Sequence, residues 1–429
     1  MRVKKIFMAG CLLLSLFALS SCVSMTENTP ENIVGTSDGT SDSKTESLST
    51  EKKDHENDPV LNFSEYTTDI CSSSVRWWDR GVQYPRLVEL VNSTVSKNGT
   101  ILVTFEQLTS GVESYRPGYP IYQSDDYGKT WKKICFVSDD ASDMQSEWNP
   151  TLLELHTDCG DLKKGTVLLA GCSIDAAHSK KSAIRLYVST DSGQTFSKPI
   201  TIDEGTGLGE GVWEPHLVQL DDGRIVCYYS DDSASTHSQK IVYKISDDGV
   251  NFHSYTEVVA TNDINERPGM PVVTRLGDGS YIMVYEIVDH RSISGNPIFY
   301  KFSKDGIDWG DASDIGYELK SSDGSALGSA PYCAWTPLGG EHGTIVVSGT
   351  FMRSGTSSTG TDYFISTDKG KTWTTIQHSI PYNASIDHCG YSNSMVFSKI
   401  TGYLYSINNP TISNTNDKSK ITFASKKWE

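Results

Sequence analysis

The chain has 429 residues, of which 37% are hydrophobic, 21% charged and 10% aromatic, and it contains 36 glycines. This composition is typical of a globular protein rich in strands and turns, and it excludes a coiled coil or a wholly disordered chain. The net charge of −17 comes from 54 acidic and 37 basic residues without a Lys/Arg cluster. Nucleic-acid binding needs such clusters to neutralise phosphates, so the charge argues against a nucleic-acid partner and favours neutral ligands.

The N-terminal segment predicts export and a lipid anchor. Arg2, Lys4 and Lys5 precede an apolar run of about 15 residues, which is too short for a membrane span. The run ends in Leu19-Ser20-Ser21-Cys22, which resembles the lipobox of bacterial lipoproteins. That resemblance implies removal of residues 1–21 and lipidation of Cys22. A plain signal peptide with an incidental cysteine is the alternative.

Residues 22–62 are predicted to form a disordered tether. Ser, Thr, Asn, Lys and acidic residues dominate this segment, and it has too few large apolar groups to offset the entropy of ordering the chain. The prediction is an extracytoplasmic domain in the cell envelope or at the cell surface of a bacterium. The lipid at Cys22 is its only expected contact with the membrane.

Cysteine spacing argues against a disulfide framework or a zinc site. Of nine cysteines, seven remain when Cys11 is cleaved away and Cys22 is lipidated. Those seven are widely spaced, odd in number and contain no CxxC pair. We predict no metal and no cofactor.

A turn motif recurs along the chain from residue 124. Each copy follows an alternating run typical of a strand, and combines an Asp that caps backbone N–H groups, a Gly suited to positive φ and an aromatic residue that packs back onto the sheet. The motif resembles the Asp-box of sialidase-like β-propellers. The five copies begin at Ser124, Ser189, Ser246, Ser303 and Ser366.

Two further features repeat in phase with the Asp-boxes and predict an all-β, six-bladed β-propeller over residues 63–429. A Gly opens an apolar run at Gly99, Gly165, Gly223, Gly279, Gly343 and Gly402. Upstream of each lies a short strand, and in five of the six a Pro stands near its start. The chain ends in a degenerate box at Ser425-Lys426-Lys427-Trp428, so a strand near residues 64–76 is expected to close the ring.

The residue before the repeated Pro is the candidate position for chemistry, because innermost strands surround the propeller axis. The six residues in this ring, by sequence alignment, are Tyr84, Asn149, Glu214, Met270, Ala330 and Tyr391. Glu214 is its only acid, and Glu286 closes an apolar strand in the next blade. Paired carboxyls suit glycosidic hydrolysis, in which one donates a proton and the other acts as nucleophile or base. The alternative is that both glutamates only satisfy loop amides.

Several segments together resemble glycoside hydrolase family 93. They are Trp213-Glu214-Pro215, Gln239-Lys240, Arg267-Pro268-Gly269-Met270-Pro271 and Tyr285-Glu286. The resemblance implies an exo-acting, retaining hydrolase that releases arabinobiose from α-1,5-L-arabinan. It also implies Glu214 as acid/base, Glu286 as nucleophile and Tyr391 as an assisting tyrosine, with Tyr382 as its competitor. Loops around 310–330 and 350–362 are longer than the family pattern, which leaves the product length open.

We further predict that Arg86, Asn149, Trp213, His216 and Arg267 bind an oligo- or polysaccharide substrate, and that the protein is a monomer. One alternative is an exo-sialidase. In that case Arg86, Arg267 and Arg353 would clamp a substrate carboxylate, and Tyr391 with Glu286 would form the nucleophilic pair. A second alternative is a lipid-anchored glycan-binding propeller without turnover.

Overall fold

The computed structural model describes residues 63–76, 81–107, 118–139, 144–175, 182–205, 210–233, 235–386, 389–411 and 418–428. The predicted signal peptide, Cys22 and the tether lie outside these residues. Ser64–Glu429 forms one compact unit. In the described ranges no helix is long and apolar enough to cross a membrane.

The secondary structure of the described residues is built from β-strands. In chain order they are β1 (Tyr66–Arg76), β2 (Val82–Leu90), β3 (Thr100–Gln107), β4 (Tyr119–Ser124), β5 (Lys132–Val137), β6 (Met144–Glu154), β7 (Val167–Asp175), β8 (Ser182–Ser189), β9 (Ile200–Gly205), β10 (Val212–Gln219), β11 (Ile225–Asp231), β12 (Lys240–Ser246), β13 (His253–Val259), β14 (Arg267–Arg275), β15 (Tyr281–Val288), β16 (Ile298–Ser303), β17 (Tyr317–Glu318), β18 (Ala326–Gly328), β19 (Tyr332–Thr336), β20 (Thr344–Ser348), β21 (Phe351–Ser354), β22 (Asp362–Ser366), β23 (Thr374–Gln377), β24 (Ser394–Phe397), β25 (Leu404–Asn408) and β26 (Lys418–Lys426).

Six four-stranded antiparallel sheets form the blades of a propeller, as predicted. Blades 1 to 4 are β2–β5, β6–β9, β10–β13 and β14–β17, and blade 5 is β19, β20, β22 and β23. Blade 6 combines β24, β25 and β26 with the N-terminal strand β1, which pairs with β26 from Tyr66 opposite Ser425. The first strands of neighbouring blades contact one another around the ring, from β2 to β24 and back to β2. The predicted closing strand is therefore confirmed.

The hydrophobic core consists of layers between neighbouring blades. Leu168 of blade 2 and Ile225 of blade 3 belong to one buried cluster, while Val226 of blade 3 and Met283 of blade 4 belong to the next. This division follows from the alternation of side chains along each strand, because successive residues face the two neighbouring blades. Every blade is thus held by both of its neighbours, which fixes the positions of the innermost strands.

The Asp-boxes form the turns that the sequence predicts. In the first copy the N–H of Gly128 donates to Ser124 Oγ at 2.7 Å, and the N–H of Thr130 donates to Asp126 Oδ1 at 2.9 Å. Gly128 has φ 97°, which favours glycine, and Trp131 Nε1 donates to the Gly128 carbonyl at 2.9 Å. All of these contacts lie within the turn, so the box has a structural role in the fold.

Buried carboxylates also join neighbouring blades at the end of the innermost strand away from the repeated Pro. Glu154, the last residue of β6, accepts the N–H of Asn92 in blade 1 at 2.9 Å. Glu89 of β2 accepts the N–H of Lys399 in blade 6 at 2.6 Å. These glutamates satisfy loop N–H groups and provide matched controls for the glutamates of the site.

The two expanded loops of the sequence pair with each other. Strand β18 lies in the first loop and β21 in the second, and they form a separate two-stranded sheet in which Ala326 faces Ser354. Met352 packs on the buried cluster between blades 4 and 5. The extra length is therefore ordered structure beside blade 5.

Phe423 of β26 provides a test of ring closure. Its side chain is fully buried, and its ring lies 5.3 Å from that of Trp131 in blade 1 and 6.4 Å from that of Tyr66 in β1. Truncation to Ala should lower the free energy of unfolding by about 3–5 kcal/mol, since it opens a cavity at this junction. Urea denaturation measures this change, with the exposed Leu338→Ala as control within about 0.5 kcal/mol of wild type. A loss below about 1 kcal/mol for Phe423→Ala would contradict the proposed closure.

Candidate active site

A strained residue lies within the innermost strand of blades 1 to 4 and two residues before that of blades 5 and 6. The six residues have φ between 44° and 60° although none is glycine, and they are Tyr84, Asn149, Glu214, Met270, Ala330 and Ser392. Left-handed φ costs a non-glycine residue about 1–2 kcal/mol, and such strain clusters at functional sites. In blades 1 to 4 the strand pairing shifts register across this residue and the following Pro. A β-bulge of this kind re-aims a side chain, here toward the axis.

The structure corrects the sixth member of this ring. Sequence alignment placed Tyr391 there, but the strained residue is Ser392, with Tyr391 immediately before it. Blade 6 lacks the Pro that follows the strained residue in the other blades, so the sequence does not show which of its residues occupies that position. Tyr391 nevertheless packs on Tyr84, Met270 and Ala330 of the ring.

Carboxyl groups near the ends of two second strands accept the N–H groups of strained residues in the next blade. Glu286 at the end of β15 accepts the N–H of Ala330 in blade 5 at 2.9 Å. Glu106 at the end of β3 accepts the N–H of Asn149 in blade 2 at 2.7 Å. The backbone at Asn149 and at Ala330 is therefore held by a carboxyl group of the preceding blade.

Glu214 lies in a polar pocket between blades 3 and 4. Its Oε2 accepts the hydroxyl of Ser230 at 2.7 Å and the N–H of Met270 at 2.9 Å. Burial raises the pKa of Glu214, while the two donors and the Arg267 cation act in the opposite direction. The structure thus favours the protonated form of Glu214 relative to a glutamate in water.

Glu286 is buried on the neighbouring blade and interacts with the charge of Glu214. Its strand partner is Gly269, the residue before Met270, whose N–H binds Glu214. Burial and, as the second cause, the negative charge of Glu214 together raise the pKa of Glu286 to about 7. Two carboxyls that influence each other in this way titrate as a pair, so over a range of pH the pair holds one proton.

Tyr391, rather than its competitor Tyr382, lies beside the two glutamates. Burial raises the pKa of Tyr391 well above its ordinary value, and the charges of Glu214 and Glu286 add to that rise. The Tyr391 hydroxyl lies 3.6 Å from Met270 Sδ. Tyr382 instead donates to the Thr350 carbonyl at 2.6 Å, away from the ring.

Arg86 is buried and joins blade 1 to blade 6. Its Nη1 donates to the Ser392 carbonyl at 2.9 Å and its Nη2 to Ser392 Oγ at 2.8 Å. The guanidinium carbon lies 4.0 Å from the centre of the Tyr84 ring and 5.2 Å from that of Tyr332. These contacts give Arg86 a structural role, and substrate binding by it stays a prediction.

Trp213 and His216 flank Glu214 in sequence and are both buried. Trp213 Nε1 donates to Asp232 Oδ1 at 3.0 Å, so the indole is part of the layer between blades 2 and 3. His216 Nε2 is 3.0 Å from the Val273 carbonyl, and burial lowers the pKa of His216 to about 4, which leaves it neutral. Their described contacts are to the protein, and their substrate roles stay predictions.

Arg267 and Asn149 lie at the edge of the polar pocket. Arg267 Nη2 donates to Gln239 Oε1 at 2.6 Å, and about a third of the Arg267 side chain (34%) is exposed. Its positive charge lowers the pKa of both Glu214 and Glu286. Asn149 is held by Glu106 through its main-chain N–H. Of the five predicted substrate-binding residues, Arg267 is the one whose charge acts on both Glu214 and Glu286.

The sequence interpretation missed Glu106. This third glutamate is 2% exposed, and its Oε2 accepts Gln83 Nε2 at 2.7 Å. Burial raises the pKa of Glu106 to about 7, which the donors Asn149 and Gln83 partly oppose. A signal was available, because Phe105-Glu106 closes β3 just as Tyr285-Glu286 closes β15.

Comparisons with known proteins agree with this geometry. The BNR repeat-like domain family matches residues 99–328. The α-L-arabinanase of Penicillium chrysogenum, solved with arabinobiose, is 31% identical, with a TM-score of 0.70 over 84% of this chain and 98% of that chain. The family 93 α-L-arabinofuranosidase of Fusarium graminearum, also solved with arabinobiose, is 27% identical, with a TM-score of 0.69 over 84% and 98%. The chain belongs to glycoside hydrolase family 93.

More distant relatives of this family 93 chain share the fold alone. The NanB sialidase of Streptococcus pneumoniae is 11% identical, with a TM-score of 0.53 over 82% of this chain and 70% of that chain. No curated protein matches the chain. The all-β propeller and the family suggested by the sequence are thus confirmed, and the roles of individual residues stay predictions.

Proposed function

We propose that this family 93 chain is an exo-acting, retaining glycosidase that releases arabinobiose from α-1,5-L-arabinan. The observation that carries the proposal is a pair of glutamates on neighbouring blades, half-buried Glu214 and buried Glu286, whose pKa values are both influenced by the Arg267 charge. Support for the substrate comes from the Penicillium chrysogenum α-L-arabinanase, which is 31% identical and was solved with arabinobiose.

The proposed reaction has two steps. First, the Glu286 carboxylate attacks the anomeric carbon while Glu214 donates its proton to the leaving oxygen, so the glycosidic bond breaks and a glycosyl ester forms on Glu286. Second, Glu214 takes a proton from water, the water oxygen attacks the same carbon, and the ester bond breaks. The product keeps its anomeric configuration, and both glutamates return to their starting states.

The shared proton suits this scheme. Donation by Glu214 and attack by Glu286 require one protonated and one ionised carboxyl, which is the state that a coupled pair holds between its two apparent pKa values. Because the rise to about 7 falls on Glu286, the free pair holds its proton there, so the division of roles follows the family resemblance and requires that proton on Glu214 once substrate is bound. Arg267 favours ionisation of both groups, and Tyr391 lies beside both. We assign Tyr391 to assisting the nucleophile.

We also propose that the enzyme acts as a monomer outside the cytoplasm, held to a bacterial membrane by lipidated Cys22. Support comes from the lipobox-like Leu19-Ser20-Ser21-Cys22 and the polar segment that follows it. Replacement of Cys22 by Ala tests the anchor, since it should move the enzyme from the membrane fraction to the soluble fraction.

The sialidase alternative receives no support from the arginines it requires. Arg86 is buried against Ser392, Arg353 forms an ion pair with Glu318, and Arg267 binds Gln239. A carboxylate clamp needs several guanidinium groups that converge on one ligand. A neutral sugar has no carboxylate and places no such demand on these residues.

The discriminating experiment offers the purified chain linear arabinan and a sialyl conjugate in parallel. Arabinobiose should accumulate from the first minutes without longer intermediates, as identified by mass, and sialic acid should not appear. Proton NMR of the first product should show the same anomeric configuration as the substrate. Release of sialic acid would contradict the proposed substrate. A ladder of longer arabinan fragments would contradict exo action, and an inverted product would contradict retention.

A further inference from the structure

Glu106 is a buried carboxyl of the axial pocket that no step of the proposed reaction uses. It closes the second strand of blade 1, as Glu286 closes that of blade 4. Blades 1 and 4 are opposite each other in a six-bladed ring, so Glu106 lies across the axis from Glu286. Both carboxyls accept the N–H of a strained residue in the next blade.

The residue held by each carboxyl differs. Glu286 holds Ala330, which has no polar side chain, whereas Glu106 holds Asn149. Glu106 Oε1 lies 2.7 Å from Asn149 N and 3.4 Å from Asn149 Nδ2, so it contacts both the main chain and the side-chain amide. Gln83 Nε2 donates to the second oxygen of Glu106 and fixes the plane of its carboxyl.

This arrangement determines what Asn149 presents to the pocket. The oxygen and nitrogen of an amide diverge, so contact of Nδ2 with Glu106 turns Oδ1 away from that carboxyl. From the described residues Oδ1 receives no hydrogen bond. Asn149 is the ring neighbour of Glu214, and the ring residues Tyr84, Met270 and Ala330 pack together with Tyr391. Oδ1 is therefore an acceptor beside the proposed acid/base.

We propose that Glu106 is a positioning residue for hydrolysis, holding Asn149 so that Oδ1 accepts a hydrogen bond from a hydroxyl of the arabinose bound next to Glu214. The inference rests on the proposed function and adds a ligand contact to it. Glu106 itself stays covered and acts through Asn149.

Glu106 also interacts with the charges of neighbouring titratable groups. The titratable groups that face it are Arg86 and Tyr84 from β2, Tyr119 from β4, Cys172 from β7, Glu214 from β10 and Tyr391 before β24. Burial and the negative charge of Glu214 raise the pKa of Glu106 to about 7. Below that pH Glu106 is protonated, so replacing it by Gln removes no charge near Glu214.

The first test compares Glu106→Ala, Glu106→Gln and Glu154→Ala on linear arabinan. Glu106→Ala should lose roughly 10- to 100-fold in kcat/KM because Asn149 is no longer held. Glu106→Gln should stay within roughly threefold of wild type, since its amide can keep both partners if the Gln83 amide turns over. Glu154→Ala removes an equally buried carboxyl between blades 1 and 2, so it should lower Tm while kcat stays near wild type.

The second test asks whether Glu106 acts through Asn149. Asn149→Ala alone should lose at least as much as Glu106→Ala, roughly 10- to 100-fold in kcat/KM. In the Asn149→Ala background, Glu106→Ala should cause little further loss, because the side chain that it orients is gone. Glu106→Gln should keep the pH profile of kcat/KM close to that of wild type below about pH 7, because burial keeps Glu106 itself protonated in that range.

The outcomes separate this inference from the proposed function. An inert wild-type chain with every arabinan overturns both. An active wild type with Glu106→Ala at wild-type activity, or with losses that multiply in the double variant, overturns the positioning role alone. If Glu106→Ala does not fold, Glu106→Gln and Asn149→Ala decide: the first should stay near wild type, and wild-type activity of Asn149→Ala overturns the proposal.

Discussion

Replacing Glu286 by Gln is expected to lower kcat on linear arabinan by about 10²- to 10⁴-fold. Gln keeps the shape of the side chain and can still accept the N–H of Ala330, which lies 2.9 Å from Glu286 Oε2. It cannot form the glycosyl ester, because an amide oxygen is a poor nucleophile. Initial rates with linear arabinan measure the loss. Glu89→Gln, a buried carboxylate at the far end of an innermost strand, serves as control and should stay near wild type.

The same variant should be at least as stable as the wild type above neutral pH. The folded pKa of Glu286 is raised to about 7, above its ordinary value of 4.5. Such a group favours the folded state fully below its unfolded pKa and loses that contribution as pH rises through the folded pKa. At pH 8 the wild type therefore carries a buried charge that Gln removes, so Tm of Glu286→Gln should equal or exceed that of wild type. Near-normal arabinan hydrolysis by Glu286→Gln would show that Glu286 is not the nucleophile and that another carboxyl of the pocket takes that role.

The repeating features of the fold could be read from the sequence because each is set by local chemistry. The Asp-box needs a capping Asp, a Gly with positive φ and an aromatic residue, all within one turn. Repetition of that turn fixes the number of blades, since each blade is one meander of four strands. The closing strand was predictable from an incomplete last repeat, and β1 fills that place.

The sequence-based predictions of site residues failed at positions that no local sequence motif identifies. Tyr391 was placed one residue out of register because blade 6 has no Pro, and the strained residue there is Ser392. Glu106 stands at the end of the second strand of its blade and not before the repeated Pro, so the repeated motif does not identify it. Its importance comes from a contact with Asn149 in the neighbouring blade, 43 residues away, which repeat spacing does not encode.

Arg86 shows why residue type alone misleads. An arginine beside the repeated Pro resembles a carboxylate ligand, and the sequence gives no measure of its exposure. In the fold its guanidinium is buried between two tyrosine rings and donates to Ser392. Substrate selection and ring closure both favour arginine at such a place, and only the contacts of the folded chain separate the two roles.

Glu214→Ala is expected to distinguish the acid/base from the nucleophile. The substitution should lower kcat on arabinan by about 10²- to 10⁴-fold, because the leaving sugar needs a proton. The variant should fold, since the N–H of Met270 keeps Ser230 Oγ at 3.1 Å as a second acceptor. With an aryl arabinobioside whose phenol leaves without protonation, formation of the glycosyl enzyme should recover. The Glu286 variant should stay inactive with that substrate.

Azide provides the decisive readout for Glu214→Ala. Loss of the carboxyl removes the base that activates water and a negative charge that would repel an anion, so azide can attack the glycosyl enzyme directly. The expected product is a glycosyl azide with the anomeric configuration of the substrate, because both displacements are then complete. Loss of the Glu214 charge should also lower the pKa of Glu286 and move the acidic limb of the rate profile to lower pH. Azide rescue of Glu286→Gln instead would exchange the roles of the two glutamates. An azide product of inverted configuration from Glu214→Ala would contradict both assignments.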